Sequence, residues 1–265
     1  METETQQAID LNLDLTVEEI YLLTQLMEIP VLLGVDLGAV RDLPDETRRA
    51  VAATALRGLR ARQFVQRNDE GRWEPKPFVA ALILTAAAPE RSFILLQQRP
   101  GQSPTPRYAH SFEDNTVLLY PLGEGVHRFI LSQQPQPARQ MAQIALDLPA
   151  VPANPAPPFA VSRDTVSQVQ ELVAEKQPGS AVQTLTAAGA DAAAAQAFVD
   201  NLADMTAITT MTQIIYGRDS GQRQTSGFTL VDGAAGIWRL RPREEQIQIA
   251  PVSQEEALAD LAAIT

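Results

Sequence analysis

The sequence predicts an α+β protein of two pseudo-symmetric halves, each made of helices, then an antiparallel β-meander, then a closing helix. Three observations carry this reading. A stretch from 147 to 162 holds prolines at 149, 152, 155, 157 and 158 and divides the 265 residues into 1–146 and 163–265. Proline fixes φ and lacks an amide donor, so the stretch reads as an extended linker. Residues 93–146 and 213–264 then repeat one order of short β-rich runs and turns, with the meanders at 93–131 and 213–250. Ile94 matches Ile214 and Ile144 matches Ile264, an offset of 120 at both ends, which points to an internal duplication. Finally, apolar residues recur at helical spacing ahead of each meander and at strand spacing within it.

The first helix starts at Leu15-Thr16-Val17-Glu18-Glu19-Ile20, where Thr16 and Glu19 form a capping box and Leu15 can pack on Ile20. Ile20, Leu23, Leu26 and Met27 make its apolar stripe, Pro30 ends it, and VLLGVDLG reads as extended or strand. A helix follows Pro44 with Val51, Ala55, Leu56 and Leu59 on one face. Phe64-Val65, a turn at Asn68 to Gly71 and Trp73 then form a hairpin, and 77–88 reads as a buried helix. The second half opens with an amphipathic helix at 163–176, followed by helices near 180–188 and 191–204, the last capped by Asp191. Ser253 to Glu256 is a second capping box ahead of the closing helix.

Composition excludes several function classes. There are 21 basic and 32 acidic side chains, a formal charge of −11, no Cys and two His. Thiolate chemistry and Cys- or His-rich metal sites are therefore absent, and no cofactor or metal is expected. No phosphate-binding glycine loop or nucleophile elbow occurs, and Gly123-Glu124-Gly125 reads as a hairpin turn. His110 and Asp114 share a short segment, yet no further ligands accompany them, so His110 reads as structural. The N-terminal residues lack a signal-peptide pattern and no apolar run reaches about 20 residues, so a cytoplasmic chain without a membrane span is expected. The acidic balance weighs against nucleic acid as a partner. The alternative is a winged-helix DNA-binding regulator using 44–77, because 41–76 holds 9 basic and 6 acidic residues.

Exposed surface on the two meanders is then the route to function. Loops at 99–107 and 217–227 take the same hairpin position in each half and are longer than a tight turn needs. Arg107, Tyr108, Phe112, Arg218, Arg223 and Phe228, in or beside them, are the candidate partner-binding residues. The segments LTVEEIYLLTQL, EIPVLLGV, TALRGLRARQFV and PFVAALILTAA, leading into the meanders, resemble the EspG family, the secretion-associated chaperones of type VII (ESX) systems. That resemblance implies a quasi-two-fold α+β fold and no enzymatic activity. It also implies a cytoplasmic role, holding a PE–PPE-type helical pair and masking its aggregation-prone tip.

Overall fold

Strand β1 (Leu11–Thr16) runs directly into helix α1 (Val17–Leu26), and the junction is the expected capping box. Glu19 N donates to Thr16 Oγ1 at 3.3 Å, and Thr16 N donates to Glu19 Oε2 at 3.1 Å. The computed structural model describes residues 11–132, 154–217, 223–234 and 236–263. The closing helix expected up to residue 146 lies outside the described residues.

The helices that follow in the first half are α2 (Gly38–Arg41), α3 (Asp45–Ala61) and α4 (Pro77–Ala87), with hairpin β2 (Val65–Arg67) and β3 (Trp73–Pro75) between the last two. The meander is β4 (Arg91–Gln98), β5 (Thr105–Phe112), β6 (Asn115–Gly123) and β7 (Val126–Ser132). In the second half come β8 (Phe159–Ser162), α5 (Arg163–Ala174), α6 (Pro178–Ala187) and α7 (Ala192–Ala203). The meander β9 (Met205–Tyr216), β10 (Arg223–Gly233), β11 (Gly236–Arg243) and β12 (Gln246–Val252) and helix α8 (Gln254–Ala263) complete it. The class is α+β. The strands other than β2 and β3 are hydrogen-bonded in the order β1-β7-β6-β5-β4-β9-β10-β11-β12-β8.

The chain divides into two compact units. Unit 1 takes Met1–Phe93, Pro106–Pro137 and Ile214–Gln224; unit 2 takes Ile94–Thr105, Ala138–Gln213 and Thr225–Thr265. In unit 1, β1 pairs with β7 in register Leu13↔Phe129 and Leu15↔His127, and β6 pairs with β7 through Leu119↔Phe129 and Val117↔Leu131. Facing residues share one side of a pleated sheet. Leu13, Leu15, Val117, Leu119 and Phe129 therefore meet Ile20 and Leu23 of α1, Leu59 of α3 and Leu82 and Ile83 of α4 in one core. Each fully buried Leu or Phe there contributes about 1.5–3 kcal/mol. Gly58 lies mid-helix in α3 because a Cβ would fall 2.9 Å from Glu19 Oε1. That carboxylate is tied to the Arg62 guanidinium, and Arg62 Nη1 also donates to Asp14 O at 2.7 Å.

In unit 2, β10, β11, β12 and β8 bring Val231, Trp238, Leu240, Ile249, Phe159 and Val161 to one face, beneath α5, α6 and α7. The rings of Phe159, Phe198 and Trp238 meet at centroid distances of 5.3–6.3 Å. Asp191 caps α7 by accepting from Ala193 N and Ala194 N, and Ser253 and Glu256 form the second capping box.

Several local expectations change. VLLGVDLG joins no strand: the Asp36 carboxylate accepts from Gly38 N at 2.8 Å and starts α2, while Leu32, Leu37 and Val40 are buried. This local side-chain bond to the backbone turns the segment into α2 in place of a strand. Phe159–Ser162, the last four residues of the proline-rich stretch, form β8, because Phe159 and Val161 alternate into the core as β8 pairs with β12. The β1 strand was not expected, and β9 starts at Met205, ahead of the expected 213.

Candidate protein-binding site

Alternation along β9 separates two very different faces in unit 2. Ala207, Thr209, Met211 and Gln213 are buried, whereas Ile208, Thr210 and Thr212 are half-buried. Gln97 Nε2 reaches Thr209 Oγ1 at 3.5 Å, which puts Leu95 and Gln97 of β4 on the buried side and Ile94 and Leu96 on the open side. Thr210 Oγ1 lies 3.2 Å from Thr229 Oγ1, so the open side continues onto β10. The result is a face of Ile94, Leu96, Ile208, Thr210, Thr212, Gly227 and Thr229, with Leu96 39% exposed. Farther along the same side, Val231, Trp238 and Leu240 are sealed under α5, α6 and α7. Branched and hydroxyl side chains on an open sheet give a firm, mildly apolar surface of the kind that receives a partner.

Next to this face the sheet forks. The β10–β11 register runs from Gly233↔Gly236 to Thr229↔Leu240 and stops there, although β10 extends back to Arg223 and β11 on to Arg243. Strand β11 stays paired with β12 as far as Arg243↔Gln246. A groove of about 790 Å³ occupies the opening, lined by Thr225–Thr229 on one side and Leu240–Arg243 on the other, with Arg163 and Asp260 at its borders. Gly227 is needed where β10 passes β9, since a Cβ there would sit 2.2 Å from Met211 O. The far side of β11 is closed by α8: Asp260 is bonded by both Arg239 and Arg241, the latter at 2.9 Å, and Ala257 is fully buried. Arg241 also lies over the Phe228 ring, 5.7 Å from its centroid.

The six residues singled out from sequence take different places. In unit 1, Tyr108 is half-buried, packs against Gly34 and stacks on His110 at 5.9 Å, and burial pushes its phenol pKa up. Phe112 is 40% exposed at the end of β5, Arg107 lies on β5, and Arg223 sits over the Tyr216 ring at 5.6 Å. In unit 2, Phe228 is 3% exposed and belongs to the buried side of β10. Arg218 lies outside the described residues. The open residues of β4 and β9 were missed because Ile94, Leu96, Ile208, Thr210 and Thr212 look like ordinary strand residues. Only their alternation with buried neighbours marks them.

His110 is enclosed in unit 1. It is fully buried, its Nδ1 lies 2.9 Å from Ser92 Oγ, and burial pushes its pKa down to about 4 against a smaller opposing effect of the Leu33 carbonyl. Among the described residues, no cluster of three or more His, Cys, Asp or Glu is placed to hold a metal ion. No described helix is long and apolar enough to cross a membrane. Segment 44–77 does form a helix and hairpin, and six of its seven arginines, all but the exposed Arg49, have partners within unit 1. Arg60 and Arg67 each lie 4.8 Å from the Trp73 centroid, Arg62 covers Phe64, Arg48 pairs with Asp45, and Arg72 pairs with Glu70.

Comparison with solved structures finds a match over nearly the whole chain. The Mycobacterium tuberculosis type VII secretion system chaperone EspG5, solved in complex with the PE25–PPE41 dimer, aligns with a TM-score of 0.71. The alignment covers 96% of this chain and 95% of that one at 18% identity. The chain has an EspG-type fold. The resemblance read from sequence is thus borne out at the level of structure. No protein-family profile and no curated protein matches the sequence. Among the described residues of unit 2, the half-buried face of β4, β9 and β10 and the fork beside it are two features accessible to a partner.

Proposed function

We propose that this chain is a non-catalytic cytoplasmic chaperone or adaptor that holds a helical protein pair of the PE–PPE type. The carrying observation is the end-to-end fold match to a chaperone solved with its protein dimer. The open face of β4, β9 and β10 supports it, because half-buried Ile, Leu and Thr side chains can bury apolar tips without rearrangement. A doubled ancestral module is part of the same proposal. In each half of the sequence a strand and helices precede a four-strand meander, and the leading strand pairs with the last one, β1 with β7 and β8 with β12. Arg107, Tyr108, Phe112, Arg218 and Arg223 are proposed as additional contacts, whereas Phe228 acts from beneath the surface through Arg241.

The test is co-expression with PE–PPE-type pairs from the same genome, followed by affinity capture and size-exclusion chromatography. One pair is expected to co-elute with the wild type. Leu96→Glu combined with Thr210→Glu is expected to weaken capture at least about tenfold, since both side chains are solvent-accessible and a carboxylate there would have to be desolvated. If no pair co-elutes with the wild-type chain, the reading fails.

A further inference from the structure

We propose that the fork between β10 and β11 receives an extended, acidic segment of the partner, which adds as a short strand between the two diverging edges. The inference rests on the reading that this chain binds a protein and states which part of the partner it takes there.

Charge supplies the first argument. The chain carries 21 basic and 32 acidic side chains, yet the groove is lined by Arg163, Arg241 and Arg243 against Asp260 alone. Asp260 is already neutralised by Arg239 and Arg241. Arg163 and Arg243 are exposed and make no ion pair among the described residues. Two guanidiniums with ten N–H donors between them therefore face the groove without a carboxylate. Bidentate guanidinium–carboxylate pairing is the matching chemistry. Along the same lining Ser226 Oγ donates to Gln213 Oε1 and the Thr210 and Thr229 hydroxyls bond each other, so that pair keeps one O–H and Thr225 adds another for carboxylate or carbonyl oxygens.

Backbone geometry supplies the second argument and selects a polypeptide over other anions. The edges of Thr225–Phe228 and Arg241–Arg243 face each other across the fork outside the β10–β11 register. Pro242 sits on one of them and has no amide to donate, which keeps the two edges from closing on each other. An inserted strand can pair with the β10 side and place alternate side chains toward Arg163 and Arg243. The five residues Thr225–Thr229 span about 16 Å, so the occupant is a run of roughly five or six residues. A nucleic acid would meet the repulsion of the acidic chain as a whole and could not use the strand edges.

The experiment uses the full chain and fluorescein-labelled Val-Glu-Val-Glu-Val-Glu-Val amide, read by anisotropy. Its controls are the same peptide with Lys for Glu, the Glu peptide N-methylated at alternate residues, and a twelve-residue oligothymidylate. The Glu peptide should bind wild type, with affinity falling as salt rises. Arg163→Glu with Arg243→Glu should weaken it about tenfold or more, and Arg163→Gln with Arg243→Gln less. Both pairs of changes are at exposed positions and should leave the melting temperature unchanged. The Lys and N-methylated peptides should not bind. No binding of the Glu peptide, equal binding to the double reversal, equal binding of the N-methylated peptide, or tighter binding of the oligothymidylate would each overturn the proposal. The two readings separate cleanly. If the double reversal captures a helical pair as well as wild type does, the fork proposal fails alone. If the Glu peptide binds while no pair is ever captured, the chaperone reading fails alone.

Discussion

Acidification should destabilise unit 1 through His110 over a pH window in which few other groups titrate. The imidazole is fully buried, and its pKa is depressed from 6.5 to about 4 because burial penalises the charged form. Below pH 6.5 the unfolded chain takes up a proton that the folded chain refuses until about pH 4. The unfolded state therefore binds more protons, and stability falls as pH drops through that window, then levels off below it. At about 1.4 kcal/mol per pH unit over this window, the full loss is about 3–4 kcal/mol, or roughly 7–14 °C in melting temperature for a chain of this size. The other histidine, His127, is half-buried with a pKa also lowered by burial, and adds a smaller effect of the same sign. Asp14, whose pKa is lowered chiefly by its hydrogen bonds to Arg128, contributes stability above its unfolded pKa that is lost only below about pH 4. The assay pairs NMR titration of the two histidine rings with thermal unfolding from pH 7.5 to 4.5. His110→Gln keeps an amide for the Ser92 hydroxyl and removes the titration, so its stability should depend much less on pH. A His110 ring titrating near 6.5, or an unchanged pH dependence in His110→Gln, would refute the reasoning.

Two further outcomes follow from close contacts in unit 2. Gly227→Ala would force a Cβ to within 2.2 Å of Met211 O, which no side-chain rotation relieves; the expected loss is about 1–3 kcal/mol, measured by denaturant unfolding. An unchanged midpoint would mean that β9 and β10 are farther apart than described. Asp260→Ala would leave the Arg239 and Arg241 guanidiniums facing each other without their shared carboxylate. Amide exchange along α8 should then speed up about tenfold or more, with the Phe159–Phe198–Trp238 core unaffected.

The fork and the open face belong to different levels of structure, and this matters for how a partner would be held. The face is made by side chains alone and suits shape-matched burial of apolar groups. The fork exposes backbone edges and guanidiniums, which recognise direction and charge. A chaperone using both would discriminate among helical pairs by whatever acidic segment accompanies the apolar tip.

The sequence by itself determined the local elements. The Thr16–Glu19 and Ser253–Glu256 capping boxes, the Asp191 cap, the hairpin around Asn68–Gly71 and the turn at Gly123–Gly125 are chemistries of three to five consecutive residues, and each forms as read. Helical and strand periods are equally local, so the α+β class and both meanders were legible. The tertiary structure alone decided that Phe159–Ser162 pairs as a strand, that His110 is sealed from water, and that Arg60, Arg62 and Arg67 are engaged by rings, carbonyls and carboxylates. It also decided where the candidate site lies. Whether Leu96 or Phe228 faces water depends on what covers each side of its strand, and whether Arg62 or Arg243 is free depends on which carboxylate lies across the fold. Those are contacts between residues far apart in the chain, and no local pattern of residue types encodes them.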